Sequence, residues 1–542
     1  MLVISQAMPD RNDCFIPIKR GGGLNFRPAT NGLSIRDKSR YYQVYRYPKN
    51  LNIINKESER NMIGIKSFGA YIPRYRMNRK VIAQAIGWFS PVGGKGERSV
   101  ANFDEDAITM AVAAGMDCMG NLDKTDIDAL YLASSTLPYK ERQNAGIVST
   151  ALGLGDAVRT ADVAGALKSG TAALIAALDA VKAQSAKEAL VTASDMRLGK
   201  PASPEESAFG DGSAAFLVSD KDVVASFEGS YSVSYDFVDI RRDEKDRFGK
   251  TWEPRWVRDE GYFKMIPEVI SGLLKKYNLD IKDFSKVIYP CPNSRDVAAM
   301  AKKLGMDPSQ IADDLQAVVG STGSAYSLMM FVNVLQEAKP GDKILVASFG
   351  NGCDALYFQV TDKINDIKHV KGVKGYLNIK ADLTNYIQYL VFRDILPVET
   401  GIRGEHVPPT QLSQTWRLRD SILSLSGSKC LKCGTVQYPV SRVCVNPACE
   451  AVDQMELYRF ADKKGTVISY TSDNLAFTPN PPQSYAIVEF EGGGRHQLDL
   501  TDCDPKQLSV GMSVTMTFRR KYYDANRSIH FYYWKAVPAV EA

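Results

Sequence analysis

Histidine is nearly absent from this 542-residue chain: there are four, His369, His406, His496 and His530. The first 368 residues therefore carry no imidazole for acid–base chemistry. No apolar run approaches the ~20 residues of a membrane helix, which predicts a cytoplasmic protein without a membrane partner. The N-terminus has no apolar h-region, and Asp10 and Asp13 argue against a transit peptide. A net charge of only +5, with pI ≈ 8.5, is too weak to argue for nucleic acid as the main partner. Disulfides are not the framework either. Of nine cysteines, Cys430, Cys433, Cys444 and Cys449 cluster and five are scattered, which fits a reducing compartment and a metal site.

What is present is ordinary globular composition, 44% hydrophobic and 24% charged, in a chain long enough for three or four domains. Residues 1–61 show no periodicity and read as a disordered or non-native extension. From Met62 to about Asp362, apolar strands alternate with amphipathic helices, the α/β pattern. Ser169–Asp195 and Ser324–Gly350 each read as a small-residue start, a helix of about four turns, a polar gap and an apolar strand, which suggests a duplicated α/β unit. Residues 363–418 read as a linker wrapping a neighbouring surface, 419–452 as a zinc ribbon, and 453–540 as a small all-β barrel of short strands.

Cys430-x2-Cys433 and Cys444-x4-Cys449 are two close thiol pairs ten residues apart. Tetrahedral zinc is closed by such a set, and without a nearby His the site is expected to be structural. The stretch has too few aliphatic residues to fold alone.

Several strings in 62–362 resemble 3-hydroxy-3-methylglutaryl-CoA synthase, especially its archaeal branch: Phe103-Asp104-Glu105-Asp106-Ala107, Lys168-Ser169-Gly170-Thr171, Phe209-Gly210-Asp211-Gly212-Ser213 and Ser348-Phe349-Gly350-Asn351-Gly352. The resemblance implies the duplicated five-layer αβαβα fold of the thiolase superfamily and a coenzyme A thioester as substrate. Residues 419–540 are similar to a rubredoxin-like zinc ribbon followed by an OB-fold, a family whose members partner thiolase-like enzymes acting on acyl-CoA. The second match rests on Gly427-Ser428-Lys429-Cys430-x2-Cys433-Gly434 and Gly511-Met512-Ser513-Val514. Together they imply a homodimer, or a hetero-oligomer with a thiolase.

The synthase triad is replaced. The nucleophilic Cys precedes Lys-x-Gly-Thr in the family; here that position is Leu167. The family His opens His-x-Pro-Asn; here the string starts at Pro290. The Glu position falls at Ser135, and the Asn of the second half at Ser321. Leu cannot form a thioester, so the core alone cannot run the standard condensation.

Two readings follow. Either the site makes or breaks a C–C bond by aldol-type chemistry, which needs a base and enolate stabilisation but no nucleophile, or the core is a pseudo-enzyme that binds acyl-CoA beside an intact thiolase. Tyr289 and Tyr326, with Tyr139, are candidate hydroxyl donors, or packing residues. Cys291 and Cys353 are candidate relocated nucleophiles or acids, or small buried hydrophobes. Lys168, Asn293, Gly350 and Gly352 are the candidate coenzyme-binding positions.

Overall fold

The computed structural model describes residues 62–90, 94–368, 370–401 and 410–539. The expected extension at 1–61 lies outside these residues, as do His369 and His406.

Nine strands form the main sheet: β1 (Gly64–Tyr71), β2 (Ile127–Ala133), β3 (Arg159–Val163), β4 (Glu188–Asp195), β5 (Gly212–Ser219), β6 (Ala225–Ser234), β7 (Lys286–Ile288), β8 (Lys343–Phe349) and β9 (Gly352–Val360). Their order is β7-β8-β9-β6-β1-β5-β4-β2-β3. The repeat is visible in the pairing. In the first half β1–β5 and β5–β4 are antiparallel and β4–β2 parallel; in the second β6–β9 and β9–β8 are antiparallel and β8–β7 parallel. The halves join where Gly64 faces Ser226 and Ile65 faces Ala225.

Alternation along the strands builds the layers, because successive side chains point to opposite faces. On β8, Ile344 and Val346 enter the central core, whereas Leu345 and Ala347 enter an outer one. The central core holds the two helices of the repeat, α2 (Ser169–Lys182) and α5 (Tyr326–Leu335). Outside lie α1 (Ala107–Met119) on the first half, and α3 (Phe263–Tyr277) with α4 (Ser294–Leu304) on the second. This is the expected five-layer αβαβα core.

Beyond it, β10 (Ser426–Cys430), β11 (Val436–Gln437) and β12 (Met455–Arg459) form a three-stranded ribbon. A closed barrel follows, from β13 (Gly465–Asp473), β14 (Gln483–Phe490), β15 (Arg495–Leu500), β16 (Ser513–Asp524) and β17 (Ile529–Pro538), ordered β13-β14-β15-β17-β16. Closure leaves no free sheet edge.

Two segment boundaries differ from the sequence reading. The strand β12 pairs with β10, so the ribbon reaches Arg459 rather than 452. The expected linker is partly folded: Tyr386–Phe392 is helical, Tyr389 and Phe392 are buried, and Arg393 pairs with the fully buried Asp211 at 3.0 Å. Aromatics spaced three apart, at 386, 389 and 392, carried that signal.

The barrel is not a separate body with its own core. Asp104, Glu105 and Asp106, just before α1, meet it directly. The buried guanidinium of Arg519 bonds Glu105 and Asp502, and Tyr71 hydroxyl lies 3.3 Å from both Nη atoms. Lys535 pairs with Asp104 at 2.8 Å, and Tyr532 donates to Asp106 at 2.7 Å. Burial pushes Glu105 up against the pull of Arg519, to about 7. Truncating one partner of such a buried network strands the others. Arg519→Met is therefore expected to cost about 3–5 kcal/mol and to destabilise core and barrel together, as one shifted transition in chemical denaturation followed by tryptophan fluorescence. Two separated transitions, with only the barrel's shifted, would show that the bodies are uncoupled.

Candidate functional site

Strand ends of both repeats converge on two cavities. The smaller, about 320 Å³, is lined by Leu167, Arg197, Asp239, Tyr262, Pro290, Cys291, Asn293, Ser321, Tyr326 and Phe349. The larger, about 690 Å³, is lined by Ser135, Leu167, Arg197, Asp239, Asn351 and His530, with Arg241, Arg242, Arg247, Arg393 and Arg520. The two share Leu167, Arg197, Asp239 and Ile240. All four replaced positions therefore gather here: Leu167 at the junction, Pro290 and Ser321 on the smaller side, Ser135 on the larger.

Close backbone approach holds Leu167 in place. A Cβ on Gly350 would lie 2.7 Å from the Leu167 nitrogen and 2.8 Å from that of Lys168. Only glycine lets the β8–β9 turn seat against the start of α2. Gly352 adopts φ +111°, in the region that favours glycine. The Gly350 N–H is already bonded to the Gly352 carbonyl at 2.9 Å, so it is not a donor for substrate.

Several candidates are committed elsewhere. Lys168 pairs with the buried Asp354 at 2.9 Å, and Thr171 donates to the same carboxylate at 2.8 Å, so this lysine clamps α2 to β9 instead of waiting for a phosphate. Asn293 caps α4, accepting from the Arg295 and Asp296 N–H groups at 3.0 and 3.1 Å. The Tyr289 hydroxyl donates to the Val297 carbonyl at 2.9 Å, and that of Tyr326 to the Asp314 carbonyl. Tyr139 hydroxyl accepts from the His530 N–H at 2.7 Å and donates to the His530 carbonyl at 3.3 Å. The tyrosines thus spend their protons on backbone acceptors. Cys353 lies in the outer core among Phe237, Phe349 and Tyr357 and lines neither cavity; Cys291 lines the smaller one. Burial pushes both thiols up, away from the reactive thiolate.

Four site residues escaped the sequence reading. Asp195, at the end of β4 and fully buried, accepts five hydrogen bonds: from the hydroxyls of Ser134, Ser135 and Thr136 and the N–H groups of Ser135 and Ser324. It ties the 134–136 turn of the first repeat to the start of the helix in the second. Arg197, two residues on, reaches the cavities' junction. Its Nη2 donates to the Ser321 carbonyl at 2.9 Å and to the Ser321 hydroxyl at 2.7 Å, and its guanidinium lies 4.0 Å from the Phe209 ring centre. Asp239 lies 4% exposed, and burial raises its pKa to about 6. Finally, His530 arrives from the barrel. Burial lowers its pKa, and its Nδ1 is buried without a hydrogen-bond partner. An imidazole absent from the core is thus supplied across a domain boundary.

At the far end of the chain the four cysteines meet. Their sulfurs all lie within 4.8 Å of one another, with Cys430–Cys449 at 3.7 Å and Cys433–Cys444 at 3.6 Å. Four thiols at these separations can hold a metal ion.

Comparison with known proteins separates the chain into the same parts. The hydroxymethylglutaryl-CoA synthase of Methanopyrus kandleri is 34% identical over 315 residues, 56% of this chain and 90% of the relative. That of Pyrobaculum arsenaticum is 33% identical over 350 residues, 62% of this chain and 98% of the relative. The chain belongs to the hydroxymethylglutaryl-CoA synthase family. The profile described as 3-oxoacyl-[acyl-carrier-protein (ACP)] synthase III C terminal matches residues 274–357, and that of the ChsH2 C-terminal OB-fold domain matches 458–519. A solved HMG-CoA synthase complexed with CoA shares the fold at 21% identity and TM-score 0.55, over 65% of this chain and 95% of that one. The resemblance read from the motifs therefore stands for both parts of this synthase-family chain.

Asp195→Ala is expected to destabilise the chain by on the order of 3 kcal/mol, because it leaves two backbone N–H groups among five donors without their acceptor. Urea denaturation measures this; a change below about 0.5 kcal/mol would show that the turn re-forms without the carboxylate.

Proposed function

We propose that this protein binds an acyl-CoA thioester and makes or breaks a C–C bond beside the thioester carbonyl by aldol-type chemistry, without an acyl-enzyme. The carrying observation is the cavity junction itself, where Leu167 takes the position of the family nucleophile and offers no reactive atom. The relatives are hydroxymethylglutaryl-CoA synthases, and a structural neighbour is a synthase complexed with CoA, which supports the thioester as ligand. Buried polar groups at the junction suit the remaining need, a place for a transient enolate. The larger cavity has six arginines against two aspartates, Asp239 and Asp394, which favours an anionic ligand such as a CoA ester.

Under the same proposal the four cysteines hold one structural zinc. Ligand sulfurs ~2.3 Å from a tetrahedral ion stand about 3.8 Å apart, close to the 3.6 and 3.7 Å separations here. The ribbon's own hydrophobic cluster is little more than three of these cysteines and Ala451, so it needs the ion to fold. A cytoplasmic homodimer, or a hetero-oligomer with a thiolase, completes the proposal. Among the described residues no helix is long and apolar enough to cross a membrane.

Two measurements test it. Elemental analysis of the purified full chain should give one zinc per chain, and Cys444→Ser should lower that ratio; metal-free folded protein would remove the structural ion. Incubation with radiolabelled acetyl-CoA should leave no stable label on the protein, while calorimetry detects binding of the ester. A stable label abolished by Cys291→Ala would replace the aldol reading with a relocated nucleophile.

A further inference from the structure

Arg197 is 6% exposed, yet its Nε has no hydrogen-bond partner and none of its nitrogens forms an ion pair with a described residue. A buried guanidinium is costly unless its donors are met. Neighbouring Asp195 has its oxygens taken by five other donors. Through Nη2 the group is anchored to Ser321, and its plane rests against Phe209, so its orientation is fixed before any ligand arrives. It lines both cavities beside Leu167. Asp239 lines the same two cavities, and its carboxylate accepts the Ile240 N–H at 2.6 Å.

We propose that Arg197 and Asp239 are the catalytic pair of this site: Arg197 holds the thioester oxygen as it becomes an enolate, and Asp239 is the base. The assignment rests on the acyl-CoA reading above and takes the place of the tyrosines, whose hydroxyl protons are engaged. In the bond-forming direction the Asp239 carboxylate takes a proton from the α-carbon of the acyl-CoA. The C–H electron pair forms the Cα=C bond, and the thioester C=O pair moves onto oxygen, against the guanidinium. The enolate re-forms its carbonyl as its α-carbon bonds to the carbonyl carbon of an aldehyde or ketone, whose oxygen takes the proton from Asp239. Cleavage is the reverse: Asp239 removes the β-hydroxyl proton, the Cα–Cβ bond breaks, and the enolate recovers a proton at carbon. No atom or electron is left over, and the enzyme ends as it began. A fixed, desolvated donor is what such a step needs, because it stabilises charge without reorganising.

The first half of this sequence can be read without knowing the second substrate. The full chain is incubated with acetyl-CoA in D2O, and deuterium at the α-carbon is followed by mass spectrometry. The wild-type protein is expected to catalyse exchange. Arg197→Met and Arg197→Lys should slow it by ~10²–10³, the usual effect of losing one oxyanion donor, and the near-isosteric Asp239→Asn should abolish it. Thermal melting and calorimetric binding of acetyl-CoA confirm that each variant is folded and still binds. Exchange unchanged in folded Arg197 and Asp239 variants would overturn this pair while leaving the aldol reading intact. Binding without wild-type exchange would overturn the pair and the enolate chemistry together, and absence of binding would also remove the acyl-CoA ligand.

Discussion

One guanidinium, that of Arg519, holds the architecture together. It leaves water only because carboxylates from two parts of the chain surround it: Glu105 from the α/β core and Asp502 from the barrel. Lys535 and Tyr532 extend the contact to Asp104 and Asp106. Asp106 also caps α1, so the helix start and the domain junction depend on the same three residues. From that docking follow the positions of β16 and β17, and with them Arg520 and His530 at the edge of the larger cavity. A barrel attached by a flexible tether could not present these two side chains to the cavity with fixed geometry; one fastened by buried charge can.

Much of the fold was legible because it is written in local periodicity. The two copies of helix and strand, 169–195 and 324–350, are visible as strings, and the strand pairing matches them half for half. Cysteine spacing likewise located the cluster whose sulfurs meet. The motif 103–107 was legible only as a family string. Nothing local in Phe-Asp-Glu-Asp-Ala says that its carboxylates will be neutralised by Arg519 and Lys535, more than 400 residues away.

The site divides along the same line. That Ser135, Leu167, Pro290 and Ser321 would come together could be read from their motifs, and they do line the joined cavities. What the side chains do there could not. Tyr289 and Tyr326 have the right chemistry and sit near the right positions, but their hydroxyls are spent on backbone carbonyls. Arg197 looked ordinary in Ser-Asp-Met-Arg-Leu-Gly because arginine is mostly a surface residue. Its meaning comes from burial and from an unmet donor, and neither is a property of sequence.

Leucine at position 167 also bears on the order of events. A thiol there would let the protein keep one fragment covalently while the first product departs, so that two half-reactions could be separated in time. Leu167 offers no such storage. In the aldol reaction proposed above, both carbon fragments would then occupy the two cavities at once, and the volume on either side of that leucine would limit what can react. Kinetically, that proposed reaction would run through a ternary complex: initial-rate lines would intersect, and neither fragment would exchange into product without the other.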